Sequence, residues 1–537
     1  MTSWNYGDVL EAVAVVHPGA VAVRHAEREL TFGELLARAD ALGQSLAERG
    51  AGLQDKVGVY LYNSPEYVIA AVAALHARLV PVNTNYRYGD DELAYLWDNA
   101  DCTAVVFHGT FTERVERLRA RCPRVTTWVH VDDGVGPCPP WAEAFDALSA
   151  PRDVRATHER SGDDLVLLYT GGTTGMPKGV MWPQDGLFRR LNGGGMRRYE
   201  LDAGLEELTV ALERDGVGPP VVVACPLMHG TGLFSVLETL VEAGTVVLLA
   251  SRRYDPDELV DTVAETAAAV VVLVGDPFAR PMLDALRSNG RGDRIASLRG
   301  IISSGAMWSE EIKRGLLEVN PSMLLIDGFS SSEALGMGSS VMGAGLSRHT
   351  AEFTLGEDVR VLAEDGAEVV PGSDVPGMLA LGGRLPLGYY KDPSKTDATF
   401  KMIDGKRYSV PGDWAKVRED GTILLLGRGS QCINTAGEKV FPEEVEEALK
   451  THPTVADACV LGTPDERWGE VVMAVVEPRD GVVPDEAELI AHVKEHLAHY
   501  KAPHRVRVVD SIGRTPAGKM DYARHRDELA AWLSSDR

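Results

Sequence analysis

The chain has 537 residues, 45% hydrophobic and 25% charged; that length exceeds a single core and predicts a soluble globular protein of two or more domains. A net charge of −25 argues against nucleic acid or an anionic membrane as the main partner. Six scattered cysteines without a Cys-x-x-Cys pair or zinc-like histidine spacing, no basic-then-apolar leader and no run of membrane-spanning length predict a cytoplasmic protein with reduced thiols and no stable membrane insertion.

Thr31 and Glu34 have the spacing of a capping box and open an amphipathic helical pattern that ends near Gly50. A strand over 57–61 follows, then a helix over 66–77 introduced by Asn63, Ser64 and Pro65, and a strand over 79–82. A helix over 91–99, a strand over 103–107, a helix over 112–121 and a strand over 125–129 continue the alternation. Such repetition predicts a mostly parallel sheet with helices on its faces.

The apolar run Leu165 to Leu168 has the length and branching of a buried strand. It leads into Thr170, Gly171, Gly172, Thr173, Thr174, Gly175, Met176, Pro177, Lys178 and Gly179. Glycine lets the main chain approach an anion, successive N–H groups form a nest for phosphate oxygens, and Lys178 adds a positive charge. The Walker pattern needs Gly-Lys-Ser/Thr opening a helix. Here Pro177 precedes the lysine and Gly179 follows it, which predicts a loop. This is a phosphate cradle of another kind.

The polar stretch 192–220, with a helix over 201–214, reads as a solvated surface insertion. A strand then delivers His229 to a glycine-rich turn, where it can border a pocket or serve as a structural histidine. Strands over 245–249 and 269–274 flank a helix over 256–267. Two apolar strands then run into small residues, the first at Ser304, Gly305 and Ala306, the second at Asp327, Gly328, Phe329, Ser330, Ser331, Ser332 and Glu333. Ligands in open α/β sheets sit beyond the carboxyl ends of strands, so these ends are candidate pocket walls. From 355 to 426, short alternating segments with Gly, Pro and Asp turns predict a small antiparallel region attached to the large domain. Within it lies Asp413. Arg428 marks a boundary before a new α+β block, in which Pro442 suits a helix start. Near the end, Lys519 lies on a Pro/Gly-rich loop.

The string from Tyr169 to Val180 resembles the phosphate-binding signature of the adenylate-forming superfamily, which includes acyl-CoA synthetases, luciferases and peptide-synthetase adenylation domains. The later markers occur in that family's order as far as Lys519, so the resemblance covers essentially the whole chain. It implies an α/β fold: a large N-terminal domain with parallel sheets and a small β region over 1–427, and a smaller mobile α+β domain over 428–537. Arg428 to Val440, together with Val180, Met181 and Trp182, looks closer still to actinobacterial acyl-CoA synthetases acting on steroid side-chain carboxylates.

The resemblance assigns roles residue by residue. Thr170, Gly171, Gly172, Thr173, Thr174 and Lys178 would hold the ATP phosphates, with Thr170 also counted as catalytic. Ser304, Gly305, Ala306, Asp327 and Gly328 match the adenine-site motifs, with Phe329 stacking on the base. Ser330 stands where the family has glycine, Ser332 would meet phosphate, and Glu333 would hold Mg2+. Asp413 would accept from both ribose hydroxyls, as a carboxylate can, with Arg428 near the ribose and phosphate. His229 would border the acyl pocket, Gly437 and Lys439 the pantetheine tunnel, and Lys519 would reach the α-phosphate; Glu333, His229 and Lys519 are counted as catalytic with Thr170.

The implied reaction is ligation of a small-molecule carboxylic acid to coenzyme A through an acyl-adenylate. A bulky hydrophobic acid, steroid or diterpenoid, is expected. A homodimer is left open, and with the net charge of −25 no nucleic-acid partner is expected. One departure stands out: the family's usual hinge aspartate is Ser430 here, followed by Gln431. It motivates two alternatives, an enzyme specialised for one half-reaction and one that loads a carrier protein. A non-catalytic nucleotide sensor on the same fold is a third.

Overall fold

The computed structural model describes residues 3–152, 159–171, 176–193, 199–288, 290–346, 349–435, 438–465, 468–479, 481–515 and 518–535. Its strands are the valine-, isoleucine- and leucine-rich runs. Val221 to Val223, Val246 to Leu248, Val270 to Leu273 and Ile301 lie in parallel register in one sheet. Burial on both faces is what such uninterrupted apolar runs predict. Among the described residues the hydrogen-bonded strands form sheets of 15, 8 and 5.

The first two sheets share one core. Val57, Val59, Val166 and Leu168 from the eight-stranded sheet pack in the same apolar cluster as Val221, Val222 and Val223 from the larger one. Helix Pro65–His76 belongs to this layer and is buried along its whole length, with Ser64 capping it and Pro65 in its first turn. Helix Gly230–Val241 lies in the same cluster. Helix Phe32–Glu48 has the expected capping box of Thr31 and Glu34.

The antiparallel region after residue 350 is attached to the large domain, as expected, by direct strand pairing. Strand Ala334–Met342 pairs with Glu352–Leu355, which in turn pairs with Ile423–Arg428. The large sheet therefore runs unbroken into the small strands. The stretch expected as a solvated insertion is also more than surface. Helix Leu205–Asp215 buries Leu208 and Leu212, and the Leu212 carbonyl lies 3.1 Å from His17 Nε2. Its apolar stripe docks on the chain's N-terminal helix, Tyr6–Val16.

The five-stranded sheet and helices Pro442–Lys450 and Glu486–His496 make a smaller lobe with cores of its own. Arg428 ends the strand Ile423–Arg428 paired with Asp413, so it sits on the large lobe. Among the described residues no helix is long and apolar enough to cross a membrane.

Candidate active site

The phosphate loop joins two antiparallel strands, Leu165–Thr170 and Lys178–Pro183, with Thr170 opposite Lys178. A hairpin therefore presents the loop, as Pro177 suggested, rather than a strand feeding a helix. Gly172, Thr173 and Thr174 lie outside the described residues. Lys178 stands 3.8 Å from Asp392 and 5.9 Å from the centre of the Tyr389 ring.

Glu333 sits at the tip of a second hairpin, between strands Leu324–Ser331 and Ala334–Met342. Two aromatics from elsewhere brace this tip. The Trp182 indole N–H donates to the Ser332 carbonyl at 2.9 Å, and the Tyr389 hydroxyl donates to Glu333 Oε1 at 2.6 Å. Tyr389 is itself placed by the short strand Gly388–Tyr389, paired with Val180 and Met181 beside the phosphate loop. Its phenol is pushed up by burial and then by Glu333, so it stays a donor. In the same strand, Ser330 Oγ accepts from the Gly336 N–H at 2.9 Å, and the Phe329 ring leans on Phe353.

Asp327 differs from the other expected nucleotide contacts. Its carboxylate is buried and bonded to Lys313 Nζ at 2.9 Å. Burial pushes its pKa up to about 6, with the Lys313 charge opposing. The side chain ties helix Glu310–Val319 to the sheet and is committed to that pair.

Asp413 is buried on strand Asp413–Val417, with Oδ1 at 3.3 Å from Arg428 Nε and Oδ2 without a hydrogen-bond partner among the described residues. A buried carboxylate oxygen left open is a rare feature, and it suits a ligand hydroxyl. Desolvation raises the Asp413 pKa against the pull of Arg428. Asp413 in turn raises that of Arg428.

Lys519 reaches this cluster from the small lobe. It keeps contact with solvent, yet the surrounding protein and then the Arg428 charge lower its pKa, while Glu333 raises it. His229 faces the same space. Burial, then Lys519 and Arg87, lower it to about 3, so the ring is neutral near pH 7. The Lys519 loop touches the large lobe at Gly518, whose φ is +71°, and a Cβ there would lie 3.0 Å from Pro277 and 3.2 Å from the Val274 carbonyl. Glycine permits both the conformation and the approach.

His229 begins helix Gly230–Val241, and the Thr231 hydroxyl donates to the Ser304 carbonyl at 3.3 Å. Gly305 follows with φ +97°, turning the chain at the strand end toward Ala306. The structure thus gathers Thr170, Lys178, His229, Ser304, Gly305, Glu333, Asp413, Arg428 and Lys519 around one cleft. Gly437 and the side chain of Lys439 lie outside the described residues.

Sequence reasoning missed Asn83 and Tyr389. The Asn83 amide donates to the carbonyls of Tyr169 at 2.9 Å and Met228 at 2.6 Å, and its oxygen accepts from Tyr169 N at 2.6 Å. One buried side chain therefore fixes the approach to the phosphate loop and to His229 together. Its only signal was a polar residue closing the apolar strand Val80–Asn83.

The AMP-binding enzyme family matches residues 10–390, and its C-terminal domain matches residues 444–519. The chain belongs to the AMP-binding enzyme family. It is 39% identical over 537 residues to a medium/long-chain-fatty-acid–CoA/3-oxocholest-4-en-26-oate–CoA ligase of Mycolicibacterium smegmatis, covering 97% of this chain and 96% of that one. Similarity to the 3-oxocholest-4-en-26-oate–CoA ligase of Rhodococcus rhodochrous is also 39%, covering 98% and 96%. Among solved structures, ATP-bound MatB from Rhodopseudomonas palustris superimposes with a TM-score of 0.80 at 25% identity, covering 97% and 98%. The anthranilate CoA ligase AuaEII with anthranoyl-AMP gives 0.82 at 21% identity, covering 100% and 99%, a likeness of fold.

Proposed function

We propose that the chain is an AMP-forming acyl-CoA ligase that activates a bulky hydrophobic carboxylic acid, with the cytoplasm as its place of action. The observation that carries this reading is the approach of the Lys519 loop, through Gly518, to Pro277 and Val274 of the large lobe, which brings Lys519 within electrostatic reach of Arg428 and Glu333, with Arg428 bonded to Asp413. Relatives named for fatty acids and for 3-oxocholest-4-en-26-oate support a long or polycyclic acid.

In the first step a substrate carboxylate oxygen attacks the α-phosphorus of ATP, and pyrophosphate leaves with the electrons of the broken P–O bond. Catalysis of this kind rests on positioning and charge stabilisation. Lys519 would stabilise charge on the α-phosphate, the Thr170–Lys178 loop would hold the outer phosphates, and the open oxygen of Asp413 would accept from the ribose. Phe329, at a strand end beside Gly328, would stack on adenine. Glu333 fits a magnesium site, because among the described residues only one of its oxygens is engaged and magnesium needs few protein carboxylates beside substrate phosphates and water. When bound, the metal supplies charge neutralisation at the phosphates.

In the second step the sulfur of coenzyme A attacks the acyl carbon and AMP leaves. Rotation of the small lobe about residues 428–431 would withdraw Lys519 and bring Gly437 and Lys439 to the pantetheine path. The neutral His229 would act as a wall of the acyl pocket.

Mass spectrometry of reactions with MgATP and a panel of fatty, aryl, steroid and diterpenoid acids, with and without coenzyme A, tests this. Acyl-CoA formed only with both co-substrates is the expected result. Adenylate without thioester would instead assign the chain to one half-reaction, and ATP binding without turnover would make it a sensor.

A further inference from the structure

Helix Glu486–His496 of the small lobe ends in a run that the ligase reading does not use: His492, Val493, Lys494, Glu495 and His496. Residues three and four apart are neighbours on a helix, so the two histidines share a face and Glu495 stands beside them. The order is His-x-x-Glu-His, a spacing that puts two imidazoles on one side of a helix for zinc. The structure brings the side chains together. One ligand atom from each of His492, Glu495 and His496 lies within 4.8 Å of the other two, and the two rings are 4.2 Å apart centre to centre.

Hydrogen bonds decide which nitrogen of each ring is free. His492 Nε2 lies 3.1 Å from the Ala448 carbonyl and 2.8 Å from Thr451 Oγ1. A carbonyl only accepts, and the Thr451 hydroxyl spends its proton on that same carbonyl at 2.7 Å. Nε2 of the neutral ring therefore carries the proton, and Nδ1 keeps its lone pair. His496 Nδ1 lies 2.8 Å from the His492 carbonyl, so this nitrogen donates and Nε2 keeps the lone pair. An imidazole whose other N–H is held by a carbonyl is fixed in tautomer and orientation, as metal-binding histidines almost always are. His452 packs edge-on to His492, ring centres 5.0 Å apart, and limits its rotation. The cluster also occupies the last turn of its helix, where the peptide dipoles favour a cation.

We propose that His492 Nδ1, His496 Nε2 and a carboxylate oxygen of Glu495 bind one divalent transition-metal ion of the zinc class on the small lobe, with water completing a tetrahedral shell. Imidazole nitrogens suit such an ion, whereas magnesium prefers oxygen, so the site differs in kind from the one assigned to Glu333. The His492 ring also grips Ala448 in helix Pro442–Lys450. The ion therefore ties the end of one helix to the end of the other and stabilises the lobe. Its ligands are half-buried or exposed, and the role inferred is binding, not hydrolysis.

The test uses the full chain, treated with chelator and exchanged into metal-free buffer, then titrated with zinc sulfate in competition with a chromophoric zinc indicator. Wild type is expected to bind one zinc per chain with micromolar or tighter affinity, and magnesium chloride is expected not to displace it. His496→Ala, whose ring is tied only to its own helix among the described residues, should lose about 10–100-fold or more in affinity, the scale for removing even an outer partner of a ligand. Glu495→Ala should weaken binding in the same direction. Zinc should raise the melting temperature of wild type and of Glu333→Gln, and leave that of His496→Ala unchanged. Melting temperatures without zinc show that the variants fold. No zinc binding by wild type, binding that His496→Ala and Glu495→Ala leave intact, or binding lost in Glu333→Gln overturns the proposal.

Discussion

The two sides of the cleft are built differently. Glu333, Asp413 and Arg428 stand on strands or at a hairpin tip of one continuous sheet, and the Glu333 tip is braced by Trp182 and Tyr389 from the eight-stranded sheet. Lys519 rides on an irregular loop of the smaller lobe. That loop is tied to its own sheet by Arg514, which bonds Asp457 at 2.6 and 2.8 Å. Its approach to the large lobe is at Gly518. On the proposed function the difference implies a division of labour: the braced wall would serve whenever nucleotide is bound, whereas the loop would be needed only while the phosphate is being attacked.

The sharpest way to break that contrast is Lys519→Ala. Pyrophosphate release is expected to fall by about 10²–10³-fold, the scale for losing one donor to a developing anion. Thioester formation from supplied acyl-adenylate and coenzyme A should stay near wild type. Equal losses in both assays would mean that the lysine serves both steps. Glu333→Gln is expected to cost about 10²-fold in the first step, on the same scale, and to raise the magnesium concentration needed for half-maximal rate. A magnesium titration checks it, and an unchanged metal requirement would remove Glu333 from the metal's ligands.

Smaller effects sharpen the picture. Tyr389→Phe deletes one hydrogen bond to Glu333, a loss of about 1 kcal/mol or roughly 5-fold in the first step. Gly518→Val puts a branched side chain at a positive φ against Pro277 and Val274. It should slow pyrophosphate release several-fold while sparing thioesterification. The smallest signal is in pH. Lys519 must be protonated to meet phosphate, and desolvation by the surrounding protein, then the Arg428 charge, lower its pKa. The alkaline limb of the first step should therefore fall below the range of an ordinary lysine. Lys519→Arg should move that limb upward, because arginine does not lose its proton there.

Much of this was legible in the sequence, and the exceptions have physical causes. The N-terminal alternation and the two small-residue strand ends followed from apolar period and breakers. Trp182 and Tyr389 could not be linked to Glu333, because strand pairing across 200 residues is invisible to local pattern. Asp327 matched an adenine-site motif by position, and strand position alone does not show that its carboxylate pairs with Lys313. The 192–220 stretch looked solvated because its apolar stripe is only Leu208 and Leu212, too narrow to stand out among its charges.

The Asn83 amide has a practical consequence for anyone wishing to redesign specificity by exchanging segments between relatives. It grips the main chain at both Tyr169 and Met228. A graft that brings a new acyl-facing helix without the matching Met228 carbonyl position would pull the nucleotide loop out of register as well. The useful crossover points lie outside the span from residue 83 to residue 241, so that the strand, the loop and the helix travel as one piece.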